Sequence, residues 1–113
     1  MEDDLVAWGR VLRVETTGRR TGRRASATVG FVERGADRIV VAAGSPDADW
    51  ARNLLADPAC VVTIGEDTWA ALARELDGPE HAHAVRDLIV RYGTPAETLG
   101  AGPAFELRRL ASV

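Results

Sequence analysis

The sequence predicts a mainly β domain with helices, of the α+β class. Three observations carry this: short alternating or β-branched runs are separated by glycine turns, two other segments place apolar residues at helical spacing, and 113 residues with 46% hydrophobic content suffice for one core. A single domain over residues 1–113 is therefore expected.

Residues 11–16 read as the first strand, because Leu12 and Val14 alternate with Arg13 and Glu15 before Thr17 and Gly18. Gly18-Arg19-Arg20-Thr21-Gly22 then turns the chain, its glycines permitting positive φ. Residues 25–33 favour a second strand, and Arg34-Gly35-Ala36-Asp37 turns into a third at 39–43, which together would make a three-stranded meander. After Gly44-Ser45-Pro46 the period changes. Asp47 or Asp49 can cap a short helix carrying Trp50, Leu54 and Leu55, which Pro58 limits. Residues 60–64 and 68–75 form a second hairpin around Gly65-Glu66-Asp67, with Trp69, Ala71 and Ala73 on one face. Pro79 and Gly93 frame a helix whose stripe is Ala82, Val85, Ile89 and Tyr92. Phe105 and Leu107 alternate with Glu106 and Arg108 in a last strand that closes or edges the sheet.

The formal charge of -3 and pI near 5.3 argue against a nonspecific nucleic-acid binder. The lone Cys60 excludes an intrachain disulfide and points to a reducing cytoplasm, while no apolar run approaches the roughly 20 residues that span a bilayer. Cys60 lies in an apolar strand without a local histidine, as a buried, unreactive thiol would. His81 and His83 are two apart on a helix, point away from one another and suit its surface, so no metal site is expected.

All fourteen basic residues are arginine, and four of them, Arg19, Arg20, Arg23 and Arg24, fall within six positions. Guanidinium forks beside glycine amides can hold phosphate or carboxylate oxygens in a bidentate way. A solvated, functionless Arg-rich turn is the alternative. Nucleic acid binding through the same loop ranks third, since no aromatic platform evidently accompanies the cations.

The run Thr16-Thr17-Gly18-Arg19-Arg20-Thr21-Gly22 resembles the glycine-arginine signature of the deazaflavin-dependent nitroreductase family. Its surroundings agree in order: Phe31 to Gly35, then Val40-Val41-Ala42-Ala43-Gly44-Ser45, then Trp50-Ala51-Arg52-Asn53-Leu54, then Ala56-Asp57-Pro58. The resemblance implies a split β-barrel of the kind found in FMN-binding pyridoxamine phosphate oxidases. It also implies coenzyme F420 as cofactor, with FMN the second candidate, and hydride transfer to a small conjugated acceptor such as a quinone, enone or nitro compound. A noncatalytic split-barrel protein binding a cofactor or other small ligand is the competing reading, motivated by the lack of any aromatic residue between Gly93 and Gly102.

By the same resemblance Gly18, Arg19, Arg20 and Arg24 would meet the anionic phosphodiester and polyglutamate tail. Ala42, Ala43 and Gly44 would let the ring approach the strand, Trp50 and Asn53 would position the cofactor, and Ser45 and Tyr92 would serve the acceptor. The chain departs from the family after Gly22, where Arg23-Arg24-Ala25 replaces a proline and an arginine, so Arg24 is displaced by one position. Unpaired sheet edges would suit a homodimer.

Overall fold

Alternation of apolar and polar residues produces seven strands: β1 (Leu12–Thr17), β2 (Arg24–Val29), β3 (Val32–Glu33), β4 (Arg38–Ala42), β5 (Ala59–Ile64), β6 (Asp67–Leu76) and β7 (Ala104–Arg109). Helix α1 (Asp49–Ala56) follows β4, and helix α2 (Gly78–Tyr92) follows β6. The computed structural model describes residues 10–93 and 99–110. The strands form one antiparallel sheet in the order β2-β1-β5-β6-β7-β4-β3. The sheet curls into a split β-barrel with two helices.

Each face of the sheet has its own core. The inner one gathers Leu12, Val14, Ile39, Val41, Val62, Ala71, Phe105 and Leu107, and α1 contributes Ala51 and Leu54 to it. On the outside, Val40, Ala42, Leu76 and Ala104 pack against Ala84 and Leu88 of α2. Period-2 alternation along β4 and β7 thus feeds both cores at once. Among the described residues no helix is long and apolar enough to cross a membrane.

The expected meander does not form. The strand read at 25–33 breaks at Gly30 and Phe31, so β2 pairs with β1 at one edge while β3 pairs with β4 at the other. Phe31 is buried in the inner core. Gly30 leaves room for Tyr92: a Cβ there would stand 2.8 Å from the ring's Cε2. The Tyr92 hydroxyl accepts from the Phe31 N–H at 3.0 Å, and the Arg10 carbonyl, 2.7 Å away, is the nearer acceptor for its own proton. The guanidinium of Arg91 covers the Phe31 ring at 4.5 Å.

Three smaller expectations are also corrected. The stripe of α2 is centred on Ala84 and Leu88, flanked by Val85 and Tyr92, and Ala82 is exposed. The N-cap of α1 is Ala48 without a side-chain cap, because the Asp49 carboxylate is drawn to Arg19 and that of Asp47 to Arg52; Leu55 is exposed. The last strand neither closes nor edges the sheet: β7 lies between β6 and β4, and β2 and β3 are the edges.

Two predictions follow from this packing. Gly30→Ala forces a methyl group against a ring tethered at its hydroxyl, and about 1–3 kcal/mol of stability is expected to be lost in urea unfolding, as for other overpacked sites. An unchanged midpoint would show that the ring yields freely. Cys60 is buried as expected, with its thiol 3.7 Å from the Ala71 carbonyl; burial pushes the thiol from 9.0 up to about 11, while the charge of Arg24 pulls it back in part. A raised folded-state value means the thiolate is favoured in the unfolded chain, so stability declines as pH rises from about 9 to about 11. Cys60→Ala should flatten that part of the unfolding profile, and an identical decline in the variant would assign it to other groups.

Candidate functional site

The β1–β2 turn is fixed first by its own backbone. The Gly18 N–H donates to the Arg23 carbonyl at 2.7 Å and the Gly22 N–H to the Gly18 carbonyl at 2.8 Å, with Gly22 at φ 73°. Helix α1 then docks beside it through a buried amide. Asn53 Oδ1 accepts from the Arg19 backbone N–H at 3.1 Å and from its guanidinium at 2.8 Å, while Asn53 Nδ2 donates to Thr16 Oγ1 at 3.1 Å. Thr16 and Asn53 are the buried polar residues of the described chain, and each has its partners. The other fork of Arg19 meets the Asp49 carboxylate at 3.1 Å.

Between the turn and α1 lies a cleft of about 280 Å3 lined by Gly18, Arg19, Arg20, Thr21, Ala25, Asp49 and Asn53. The structure thus brings together four of the residues singled out in the sequence, Gly18, Arg19, Arg20 and Asn53. Arg24 opens β2 next to the cleft. The guanidinium groups of Arg20, Arg23 and Arg24 are exposed and make no hydrogen bond or ion pair with any described residue. Arg19 differs, because it is committed to α1.

The remaining candidates are dispersed. Ala42 and Ala43 are core residues on opposite sides of β4, and the Ala43 N–H is taken by the Pro103 carbonyl at 2.9 Å. Gly44 and Ser45 are exposed in the connection that enters α1, and Ser45 Oγ accepts from the Asp47 N–H at 3.1 Å. Trp50 packs on Phe105 with ring centroids 5.9 Å apart. Tyr92 sits at the barrel seam with its hydroxyl on backbone groups. Two residues were missed. Asp49 reads as a helix cap in sequence, and its partner Arg19 is thirty residues away. Thr16 is a polar residue on an otherwise apolar inward face, which is the signal that could have found it.

A second charged cluster lies on the outer face. Arg74 forks onto Glu80 at 3.2 and 2.9 Å and reaches Glu106 at 3.4 Å. These bonds push the Arg74 guanidinium further up and, through Arg74, hold Glu80 below the usual carboxylate range. Asp87 nearby is paired with Arg34. This cluster compensates its own charges, whereas the turn at Arg19 leaves three cations without a partner among the described residues.

Fold and cleft define a split β-barrel with a cationic, glycine-bounded turn against a short helix. The chain belongs to the F420H(2)-dependent quinone reductase family, whose model matches residues 6–96. A structure of an F420-H2 dependent reductase, FDR-A, is similar at 25% identity and TM-score 0.74, covering 88% of this chain and 94% of that one. HutZ, the heme storage protein from Vibrio cholerae, aligns at 19% identity and TM-score 0.77 over 97% and 88% of the two chains. A pyridoxamine 5'-phosphate oxidase-type protein from Listeria innocua aligns at 11% and TM-score 0.69 over 97% and 94%. The last two likenesses concern the fold alone. No curated protein matches the chain.

The docking of α1 is testable without any ligand. Asn53→Ala leaves the Arg19 N–H without its acceptor and the buried Thr16 hydroxyl with only its long bond to the Ala25 carbonyl at 3.5 Å, and about 1–3 kcal/mol of stability should be lost in chemical denaturation. A variant as stable as the parent would mean that water replaces the amide fully.

Proposed function

We propose that this chain is a reductase that binds reduced coenzyme F420 through the β1–β2 turn and passes its hydride to a small conjugated acceptor, a quinone, enone or nitro compound. The observation that carries the reading is the set of guanidinium groups of Arg20, Arg23 and Arg24, unpaired among the described residues, beside a glycine-bounded cleft in a chain of net charge -3. The donors fit the ligand's chemistry: phosphodiester and carboxylate oxygens are what guanidinium forks bind best. The cleft's size suits a phosphate and a short piece of tail, so the ring would lie outside it, toward Gly44 and Ser45.

When bound, the deazaflavin supplies the hydride; the protein's part is to hold and orient it. Arg20 and Arg24 neutralise the tail. Arg19, locked by Asn53, fixes the turn that carries them. Ser45 accepts from the Asp47 amide, which leaves its own O–H free to donate to an acceptor oxygen as charge develops there. Trp50 backs α1 against the barrel. In this reading Tyr92 serves the seam and not the acceptor, because backbone carbonyls compete for its single proton. A homodimer belongs to the same proposal, since β2 and β3 present free edges. So does a cytoplasmic setting, which suits the free Cys60 thiol.

Fluorescence titration with F420 tests the reading. Saturable binding is expected, with Arg20→Ala weakening it about tenfold, or ~1.4 kcal/mol, and Arg19→Ala weakening it through loss of the turn's geometry. Absence of binding at micromolar F420 would overturn the proposal. Oxidation of reduced F420 with a quinone, an enone and a nitro compound then separates an enzyme from a ligand-binding barrel: binding without turnover on all three would establish the latter.

A further inference from the structure

We infer that Asp49 is a specificity-determining residue, a carboxylate built into the cleft that occupies one fork of Arg19 and must be displaced by a small anion. The inference rests on the anion-binding role proposed above for this cleft. Arg19 has two differently held ends. Its backbone N–H and one guanidinium nitrogen are fixed by Asn53, which is 2% exposed. Its other terminal nitrogen reaches Asp49 Oδ1 at 3.1 Å, and the Asp49 side chain is 84% exposed. The first contact is structural and permanent. The second is an exchangeable surface pair of the kind that contributes little to stability.

Asp49 stands in the first turn of α1, where a carboxylate complements the helix N-terminus whether or not it meets Arg19. It makes no cap bond for α1, whose first turn begins at Ala48 without a side-chain acceptor, and Arg19 is the partner of its carboxylate among the described residues. Yet it lines the same cleft as Arg19 and Arg20. An anion entering there must compete with a tethered carboxylate for Arg19 and also sit beside its negative charge. A small anion, able to reach only Arg19 and Arg20, carries that penalty in full. A long polyanion can instead lie along Arg20, Arg23 and Arg24 and leave the Arg19–Asp49 pair in place, so it carries less of the penalty. Asp49 therefore raises the preference for extended anions over inorganic phosphates.

The experiment compares the wild type with Asp49→Asn, using inorganic pyrophosphate and F420 as separate probes by calorimetry at fixed ionic strength. Asp49→Asn should bind pyrophosphate about threefold to tenfold more tightly, with a smaller gain for F420, so the ratio between the two affinities narrows. Adding Arg19→Gln to Asp49→Asn should abolish the gain. Glu66→Gln, the same change in charge at the exposed β5–β6 turn, should leave pyrophosphate affinity unchanged. Weaker, unchanged or undetectable pyrophosphate binding in Asp49→Asn overturns the inference, because the carboxylate would then orient Arg19 and not occlude it. An equal gain in Glu66→Gln overturns it as well, by assigning the effect to net charge. Failure of the wild type to bind F420 is a separate result that sinks the cofactor proposal, and the pyrophosphate comparison reads Asp49 regardless.

Discussion

Two residues, Gly30 and Phe31, carry the chain from one edge of the sheet to the other. Val29 is the last residue of β2 and Val32 the first of β3, and six strand spacings separate those strands in the hydrogen-bonded order. Laid flat, that path would be about 28 Å. Three residues of fully extended chain reach only about 10–11 Å. The sheet has to curl until its edges nearly meet, and the short crossing leaves them side by side without a continuous ladder between them. The barrel is split because the connection is too short to permit anything flatter. Tyr92 completes the closure by bonding to Arg10, just before β1, and to Phe31 in the crossing.

Closure decides where the site can be. The inner core is shared by β1, β4, β5, β6 and β7, and α1 packs against it with Ala51 and Leu54. The price of placing Asn53 on that same buried face is one amide that must be satisfied internally. Thr16 and Arg19 satisfy it, and in doing so they fix the β1–β2 turn to the helix. The cations of the turn are therefore presented from a base held by buried hydrogen bonds. A loop tied only by its own glycines would offer the same charges with more conformational freedom to lose on binding.

Elements dominated by local pattern were legible in the sequence. β1, β4, β5 and β6 follow from alternation and turn residues, and both helices from spacing, because in each case the partner faces are implied by the period itself. The break at Gly30 was not legible, since residues 25–33 are uniformly compatible with a strand and the group that requires the glycine is Tyr92, sixty-one positions from Phe31. The β7 position was hidden for a similar reason: register across a sheet is set by which edges can meet, not by a strand's own composition. In the candidate site, the motif residues Gly18, Arg19, Arg20 and Asn53 line one cleft. Asp49 escaped notice because an acidic residue at a helix start already has a sufficient local explanation. Ala42 and Ala43, small residues that the resemblance associates with a ligand's approach, have in the fold a second explanation, packing at the end of β4 between two cores.

The charge distribution adds a final constraint on how such a site selects its ligand. A net charge of -3 opposes any polyanion at a distance, yet at physiological salt that repulsion fades beyond about 8 Å. Long-range steering toward the turn is consequently weak, and discrimination has to arise at contact, from how many guanidinium groups one molecule can touch at once. Arg19 is held in place by Asn53 and partly neutralised by Asp49, while Arg20, Arg23 and Arg24, along the turn and the start of β2, have no ion-pair partner among the described residues. Ser45 lies in the connection that leads directly into α1, so the group suited to an acceptor and the amide that anchors the turn belong to adjacent stretches of chain. A shift of α1 would move both stretches together, which, under the function proposed above, would couple the grip on a tail to the placement of the hydroxyl.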